Sequence, residues 1–302
     1  MAEKLRPDFL IVGLQRSGTV WTGAILNSHP DIACFPNIPF DPRPNGNKIG
    51  DVDFFNTLAT LEPGEHKFTR SLDRYLTMYN KVFADLVLLV NTLPKKEFYK
   101  IMQQRYSDYC DKIRGNKKIV GENTTDYVFH LDFIDSFYPN IKKICVIRDP
   151  KDKITSWHFS LVNKGRRKEK KVTEDFVTDY LNERIVEEYK ALLSYSGHIH
   201  CVTYEKMVSN PEKTIGGMLD YLKVKKSSEI ISAMIENASF ENQTKRVGGV
   251  ARKQGKEDRS SQIRKGVVGD WENHMTAGVA KIIDESVEDL RNRVFEKYKV
   301  MH

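Results

Sequence analysis

The sequence predicts an α/β protein in which a parallel sheet is covered by helices on both faces. Short apolar segments typical of buried strands alternate along the chain with longer segments of helical pattern, which is the order of βαβ units. The 302 residues are 40% hydrophobic and 29% charged, a composition that can bury a large core. The chain has neither an internal repeat nor a linker-like stretch, so we predict one domain across residues 1–302.

Four apolar segments predict the strands. The first is wholly apolar and ends at glycine, and the third is the most regular. Continuous apolar runs of this length are typical of strands buried on both faces. We predict strands at Phe9–Gly13, Lys118–Gly121, Lys143–Ile147 and Ile199–Tyr204. Ligands of such sheets bind beyond the carboxyl ends of the strands, which is where the motifs described below lie.

The segments between the strands have helical periodicity. We predict helices at Thr19–Leu26, Tyr127–Phe137, Asp152–Val162 and Thr173–Ser194, and two or three more toward the carboxyl end. The aromatic-rich stretch between Leu72 and Ile113 also has a helical pattern.

Charge and composition exclude several classes of protein. The 48 basic and 41 acidic residues give a net charge of +7, which indicates an anionic partner. There is no apolar run of about eighteen residues and no signal-peptide core, so we expect no membrane partner. The four cysteines are widely spaced without CxxC or zinc spacing, which predicts a cytoplasmic protein and no metal site. No nucleic-acid-binding module is recognisable, so we expect no nucleic acid partner.

The loop after the first strand has the composition of a phosphate cradle. Gly13 and Gly18 let the backbone turn tightly, and the helix that follows presents unpaired N–H groups to an anion. Arg16 adds a fixed positive charge, and Ser17 and Thr19 add hydroxyl donors. Thr19 stands where a Walker A loop requires lysine, so we predict a P-loop-type domain without the Walker lysine.

A second candidate phosphate contact follows the strand at 143–147. Arg148 ends that strand and Ser156 lies two turns into the next helix, so the two side chains can hold one phosphate from two sides. Alternatively, Arg148 forms an ion pair with Asp152 at the start of the helix. The residues alone leave both readings open.

A third segment, Arg264–Thr276, reads RKGVVGDWENHMT. Together with the loop LQRSGTVW and the Arg148–Ser156 spacing, it resembles the sulfotransferase superfamily, whose cytosolic members carry RKGxxGDWxNxxT near the C-terminus. Thr203–Met207 resembles the family's YExM segment and Ala238–Phe240 its TSF segment. The likeness extends from residue 9 to residue 276, although residues 37–117 match no family segment.

The resemblance implies binding of the sulfuryl donor PAPS (3′-phosphoadenylyl sulfate), release of PAP, and no requirement for a metal. Arg264, Lys265 and the Gly266 backbone would hold the 3′-phosphate, and Arg16 would neutralise charge on the 5′-phosphate leaving group. Phe240 would face Trp21 across the adenine, although Trp21 is equally well placed for the core. The implied donor-binding residues are Arg16, Ser17, Gly18, Thr19, Val20, Trp21, Arg148, Ser156, Tyr204, Phe240, Arg264, Lys265 and Gly266.

The general base is the main departure from the cytosolic pattern. Where cytosolic members carry a KTHLP-like segment with a catalytic histidine, this chain reads VGENTTDY, which is closer to the GEKTPxY stretch of carbohydrate-type and bacterial members. Either Glu122 or Asp126 can accept a hydroxyl proton if burial raises its pKa. Asp126 can instead cap the helix that follows, and His66 or His130 remain as distant alternatives.

We therefore expect a PAPS-dependent sulfotransferase that acts in line, without metal, on a hydroxyl or amine of a small organic acceptor. The aromatic residues between 35 and 109 suggest an aromatic or polycyclic acceptor, or else are simply core. The alternatives are a P-loop kinase that uses ATP and a catalytically inactive homologue that binds 3′-phosphonucleotides.

Two further expectations concern motion and assembly. The glycine-rich, charged segment Lys245–Ser261 is predicted to be a mobile lid over the donor, acting through Arg252 or Lys253. The stretch Glu272–Lys281 resembles the family's KxxxTVxxxE dimer segment with its end charges exchanged and its apolar contacts weakened. This predicts a monomer or a weak homodimer.

Overall fold

Five parallel strands form the sheet at the centre of the fold. In the computed structural model, which describes residues 6–35, 54–60, 89–90, 92–168, 171–258, 261 and 263–300, the strands lie in the order β2-β3-β1-β4-β5. Each neighbouring pair is parallel. The strands are β1 (Phe9–Gly13), β2 (Ile32–Phe35), β3 (Ile119–Asn123), β4 (Lys142–Ile147) and β5 (His200–Thr203).

Helices cover both faces of this sheet. In chain order they are α1 (Thr19–Asn27), α2 (Phe54–Thr60), α3 (Lys95–Arg114), α4 (Leu131–Phe137), α5 (Pro150–Asn163), α6 (Glu174–Tyr180), α7 (Val186–Ser194), α8 (Tyr204–Ser209), α9 (Pro211–Leu222), α10 (Ser228–Asn237), α11 (Phe240–Gly248) and α12 (Ala277–Tyr298). Short 3₁₀ turns occupy Thr125–His130 and Asp270–Asn273, and a π-helical turn, Leu181–Ile185, joins α6 to α7. Within the described ranges, no helix combines the length and the apolar character needed to cross a bilayer.

The two faces of the sheet bury separate apolar cores. Alternate residues of β1 point to opposite sides: Leu10 and Val12 pack against α2 to α7 and α12, whereas Phe9 and Ile11 pack against α1, α8, α9 and α10. All five residues of β1 are buried, which explains its unbroken apolar run. The predicted parallel sheet with helices on both faces is confirmed.

Some predicted boundaries differ from the structure. The strand β2, read as IACF, is missing from the prediction because its four residues lie between a helix and proline-rich sequence. Helix α5 begins at Pro150, two residues earlier than predicted, because the Asp149 side chain accepts the Lys151 N–H at 2.8 Å and proline fits the first helical turn. Of the predicted helical stretch 72–113, residues 72–88 lie outside the described residues, and α3 accounts for the end.

The strand order places a crevice beside β1. The connection from β1 leads to β2 on one side, and β4 is followed by β5 on the other side. In open parallel sheets, ligands bind outside the carboxyl ends of adjacent strands whose connections diverge in this way. The loops after β1 and β4 therefore frame the expected ligand site.

Candidate active site

The loop between β1 and α1, residues 14–18, is the predicted phosphate cradle and is called the phosphate loop below. Gly18 precedes α1 with φ 93°, a conformation that favours glycine, and no side chain caps the helix. A Cβ on Gly18 would lie 2.6 Å from Cδ2 of Tyr204, so the residue must be glycine for packing as well. The Ser17 side chain is fully buried and Thr19 opens the helix, whereas Val20 is 48% exposed. The uncapped helix N-terminus can receive an anion.

Arg16 is held beside α5. Its Nε donates to the Ser156 hydroxyl at 3.0 Å and its Nη2 to the Ser156 carbonyl at 3.4 Å. Burial lowers the pKa of Arg16; Tyr180 opposes this effect, and the charges of Arg148 and Arg264 lower the pKa further. Arg16 therefore lies near two other arginines, Arg148 and Arg264, that come from distant parts of the sequence. Such an arrangement suits a ligand with several negative charges.

Arg148 projects from the end of β4 toward the same loop. Its guanidinium lies 4.3 Å from the centre of the Tyr204 ring, and Nη2 donates to the Val267 carbonyl at 3.1 Å. Nη2 also lies 3.4 Å from an Asp152 carboxylate oxygen, so the predicted alternative ion pair is present as well. The pairing does not use Nε, which is buried and has no hydrogen-bond partner among the described residues.

The carboxylate of Asp270 gathers the basic side chains of the C-terminal motif. It accepts from Arg264 and, at 2.5 Å, from Lys265, and it is 3.2 Å from His274 Nε2. Burial alone would raise the pKa of Asp270, but the hydrogen bonds from Lys265 and Arg264 and the charge of Arg264 outweigh it and lower the pKa to about 2. Arg264 also lies over the Phe159 ring at 4.7 Å. The two cations of the motif are therefore oriented before any ligand binds.

Asp152 fastens this motif to the site. Its two oxygens accept the N–H groups of Gly269, at 2.8 Å, and Trp271, at 3.2 Å, and its side chain is buried. Since Asp152 lies in the first turn of α5, just after Arg148, the C-terminal turn is anchored beside the arginine. The sequence suggests Asp152 only as a partner of Arg148, and this anchoring role becomes apparent only in the folded structure.

The predicted adenine contacts frame the opposite side of the loop. Trp21 Nε1 donates to the Ala238 carbonyl at 2.8 Å, and its ring meets that of Tyr204 edge-on at 5.6 Å. The Phe240 ring lies against Gly266, whose φ is +71° and whose Cβ would lie 2.3 Å from the ring. The three predicted aromatic residues thus line the borders of the phosphate loop and the C-terminal turn.

The predicted lid segment is partly helical and partly folded onto the motif. Residues 245–248 belong to helix α11, so the first part of the predicted lid is helical. Arg252 donates to the carbonyls of Ile263 and Arg264, and the Gly255 N–H donates to the Lys265 carbonyl at 2.9 Å. Arg252 is therefore committed to the chain's own carbonyls in this conformation, and a lid movement stays a prediction.

The two candidate bases occupy different environments. Glu122 is completely buried and accepts hydrogen bonds from the hydroxyls of Tyr106, Thr124 (2.9 Å) and Tyr127 (3.0 Å). Asp126 has 46% of its side chain exposed and forms an ion pair with Arg184 at 2.5 Å.

The structure also bears on the other roles considered for Asp126 and on the two histidines named as alternative bases. The cap role considered for Asp126 is wrong, because the turn begins at Thr125 and no side chain caps it. Burial lowers the pKa of His130, which the charge of Asp126 opposes. His66 lies outside the described residues.

The sequence analysis also missed a buried charged pair beneath the phosphate loop. Glu188 on α7 accepts the Gln15 N–H at 3.0 Å and a hydrogen bond from Lys153 on α5. Both of these side chains are fully buried. The only signal in the sequence is the spacing of four between Tyr180, Arg184 and Glu188, which places them on one helix face.

Comparison with known proteins shows relatives of one kind. The chain is 26% identical over 160 residues to bovine Sulfotransferase 1E1, covering 49% of this chain and 54% of that protein. It is 24% identical over 189 residues to human Sulfotransferase 2A1, covering 54% and 62%. The chain therefore spans between half and two thirds of the length of these curated relatives.

Solved structures share the fold at low sequence identity. Mouse sulfotransferase SULT7A1 complexed with PAP has a TM-score of 0.56 and 18% identity, with 98% of this chain and 90% of that chain covered. The sulfotransferase from Alicyclobacillus acidocaldarius has a TM-score of 0.53 and 16% identity, covering 99% and 98%. Retinol dehydratase in complex with androsterone and inactive cofactor PAP has a TM-score of 0.51 and 17% identity, covering 95% and 81%. The sulfotransferase domain model matches residues 6–301, and the chain belongs to the sulfotransferase domain family.

Proposed function

We propose that this protein transfers the sulfuryl group of PAPS to a hydroxyl or amine of a small organic acceptor. The observation that carries the proposal is the arrangement of three arginines around one helix N-terminus: Arg16 donates to Ser156, Arg148 lies over the Tyr204 ring that packs against Gly18, and Arg264 lies over the Phe159 ring, one turn after Ser156. A nucleotide with phosphates on both the 3′ and the 5′ position of its ribose would neutralise these positive charges. Family membership and the fold shared with PAP-bound structures support the same donor.

Buried polar atoms around the loop fit a phosphate ligand. Among the described residues, neither the Ser17 hydroxyl nor Arg148 Nε has a hydrogen-bond partner, although both atoms are buried. Buried polar groups are nearly always paired in folded proteins. Two unpaired donors beside an uncapped helix N-terminus therefore favour a site built for phosphate oxygens.

The donor-binding roles divide between two phosphates and a base. We assign Arg16, Ser17, Gly18, Thr19 and Val20 to the 5′-phosphosulfate. Arg148, Ser156, Arg264, Lys265 and Gly266 are assigned to the 3′-phosphate, and Trp21, Tyr204 and Phe240 to the adenine. Two phosphate sites of this kind favour a 3′-phosphonucleotide over ATP.

The chemistry assigned to the chain is mostly positioning and charge stabilisation. PAPS supplies a sulfuryl group on a good phosphate leaving group. Arg16 and the N–H groups at the start of α1 neutralise the charge that develops on the 5′-phosphate as the sulfur–oxygen bond breaks. A carboxylate takes the proton that leaves the acceptor as its oxygen or nitrogen bonds to sulfur. This step needs no metal ion.

Glu122 and Asp126 remain the candidates for that carboxylate. Glu122 is held by three hydroxyl donors, so its position is fixed by the core. Asp126 is partly open to solvent, and Arg184 holds one of its oxygens. A proton acceptor must reach the acceptor group, which in this conformation favours Asp126 for access and Glu122 for fixed geometry.

The aromatic residues described around Glu122 belong to the buried core. The rings of Phe54, Phe55, Tyr106 and Tyr127 pack together around Glu122. Phe54 and Phe55 are fully buried, so for these two the core reading of the aromatic stretch applies. Phe40, Phe68, Tyr75, Tyr79 and Phe83, which also suggested an aromatic acceptor, lie outside the described residues.

The four cysteines are free and buried, which supports a reducing compartment such as the cytoplasm.

Ligand-dependent thermal unfolding tests the donor. Saturating 3′,5′-ADP should stabilise the protein by about 2.7 kcal/mol at a concentration one hundred times its Kd, and 5′-ADP at the same concentration should stabilise it much less. Transfer from ³⁵S-labelled PAPS to a panel of phenols, alcohols and amines then tests activity. Equal stabilisation by both nucleotides would contradict the 3′-phosphate site and favour an ATP-dependent enzyme. Binding without transfer to any member of the panel would favour the inactive homologue.

A further inference from the structure

One face of the α6–α7 helix run is directed at the phosphate loop and the turn beside it. The Tyr180 hydroxyl donates to the Gln15 side-chain carbonyl at 2.9 Å, and Arg184 donates to Asp126 at 2.5 Å. Glu188 accepts the backbone N–H of Gln15 at 3.0 Å. The π-helical turn at 181–185 lies between these contacts. Such turns are rare and concentrate at functional sites.

The Glu188 carboxylate joins two parts of the candidate active site. One oxygen accepts the Gln15 N–H and, at 2.8 Å, Arg184 Nε, and the other accepts from Lys153. Lys153 lies on α5, the helix whose Ser156 holds Arg16. Glu188 is therefore a direct bridge between the phosphate loop and the helix that orients its arginine.

The burial of this pair argues against a role in stability alone. Glu188 and Lys153 have no exposed side-chain surface. Replacing a buried ion pair by apolar residues of similar size is often neutral or stabilising, because desolvation offsets the attraction. A fully buried pair that also takes the N–H of a ligand-loop residue is better explained by the geometry it imposes.

The residue next to Gln15 needs such support. Arg16 has φ 62°, in the left-handed region that non-glycine residues seldom adopt. Backbone in this region persists only where its surroundings determine it strongly. The hydrogen bond at the Gln15 N–H restrains the backbone just before Arg16, and the hydrogen bond from the Arg16 guanidinium to Ser156 restrains the Arg16 side chain.

We propose that Glu188, with Lys153 as its counter-ion, is a positioning residue that holds Gln15 so that Arg16 and the phosphate loop are presented to the 5′-phosphate of the ligand. The proposal rests on the proposed function, since it assumes a nucleotide with both 3′- and 5′-phosphates. Glu188 does not touch the nucleotide. Its effect should therefore be confined to the 5′-phosphate and leave the 3′-phosphate site unchanged.

Two double variants isolate the hydrogen bond. Lys153→Met with Glu188→Gln removes both charges and keeps an oxygen for the Gln15 N–H, whereas Lys153→Met with Glu188→Met removes that oxygen at nearly the same size. Glu187→Gln is the matched control, because Glu187 lies on the same helix, is half exposed and pairs with Lys190. For each protein, calorimetry measures the Kd of 3′-AMP and of 3′,5′-ADP. The Kd of 3′-AMP divided by the Kd of 3′,5′-ADP gives the contribution of the 5′-phosphate to affinity.

We expect the ratio to stay within about threefold of wild type in the Gln double variant and the control, and to fall about tenfold or more in the Met double variant. The Kd of 3′-AMP should be unchanged throughout. Equal ratios in the two double variants, or a parallel loss of 3′-AMP affinity, would overturn the positioning role. If the Met double variant does not fold, Glu188→Asp replaces it, because aspartate keeps the charge beside Lys153 but is one methylene shorter toward the Gln15 N–H: a ratio reduced about threefold or more supports the proposal, and an unchanged ratio overturns it.

The outcome also separates this inference from the proposed function. Wild-type protein that does not bind 3′,5′-ADP would refute the proposed function, and the role of Glu188 would fall with it. Wild-type protein that binds 3′,5′-ADP, with a ratio insensitive to position 188, would refute the positioning role alone.

Discussion

Replacing Gly266 by alanine tests the turn proposed to hold the 3′-phosphate, because two separate features of this position exclude a side chain. Gly266 has φ +71°, and a Cβ there would lie 2.3 Å from Cδ2 of Phe240. Gly269, in the same turn, has φ +79° but no neighbouring atom within 4 Å of its Cβ position. The two glycines therefore separate backbone strain from steric collision.

The expected magnitudes follow from these distances. Alanine in the left-handed region costs about 1–2 kcal/mol, which is the whole effect expected for Gly269→Ala. At Gly266 the contact must lengthen from 2.3 Å to the ordinary 3.4 Å, so the Phe240 ring or the turn must move by about 1 Å, and overpacking of this kind adds about 1–3 kcal/mol. Gly266→Ala should lower the free energy of unfolding by roughly 2–5 kcal/mol.

Urea unfolding of a double-mutant cycle measures the collision. Phe240→Ala removes the ring, so in that background the cost of Gly266→Ala should fall to that of Gly269→Ala. In the presence of the ring, Gly266→Ala should also weaken 3′,5′-ADP binding, whereas Gly269→Ala should leave it unchanged. An equal cost of Gly266→Ala with and without the Phe240 ring would refute this reasoning.

Three other predictions address charge, catalysis and assembly. Asp270→Asn should lower the free energy of unfolding by about 2 kcal/mol near pH 7. Since the pKa of Asp270 is depressed to about 2, this stabilisation is lost as the pH falls from about 4 to 2. The urea midpoints of wild type and variant should therefore converge in that pH range. Asp126→Asn should slow transfer from labelled PAPS at least about tenfold with little change in stability if it is the base, whereas Glu122→Gln should also destabilise the core because three hydroxyls donate to it. Wild-type rates in both variants would exclude both carboxylates. Light scattering at micromolar concentration should show a monomer or a weakly associated dimer. Any dimer should dissociate on Lys281→Glu, a change at a 74% exposed side chain, and should form again when Glu272→Lys is added. A tight dimer at nanomolar concentration would contradict this prediction.

The sequence predicts the fold well where burial alone determines it. Strand β1 is apolar throughout and β4 is apolar from Ile144 onward, because helices cover both faces of the sheet, and such runs can be recognised without knowing their neighbours. The strand β2 shows the limit of this signal. Its four residues could as well be a buried turn, and only pairing with β3 makes them a strand.

The candidate site divides along similar lines. The residues proposed to bind the ligand, such as Arg16 and Arg264, lie in local motifs that can be recognised in one stretch of sequence. Residues that hold those motifs in place do not, since Asp152 and Glu188 act on backbone N–H groups far away in the chain. Their roles arise from tertiary contacts, so no local pattern reveals them.

The anchoring of the C-terminal turn by Asp152 has a consequence for protein synthesis. Along this chain the phosphate loop is synthesised well before Arg264 and the N–H groups that Asp152 accepts. A growing chain can therefore contain all five strands and still lack one side of the candidate site. If the proposed donor site is correct, nucleotide binding should therefore require that this turn has docked onto Asp152.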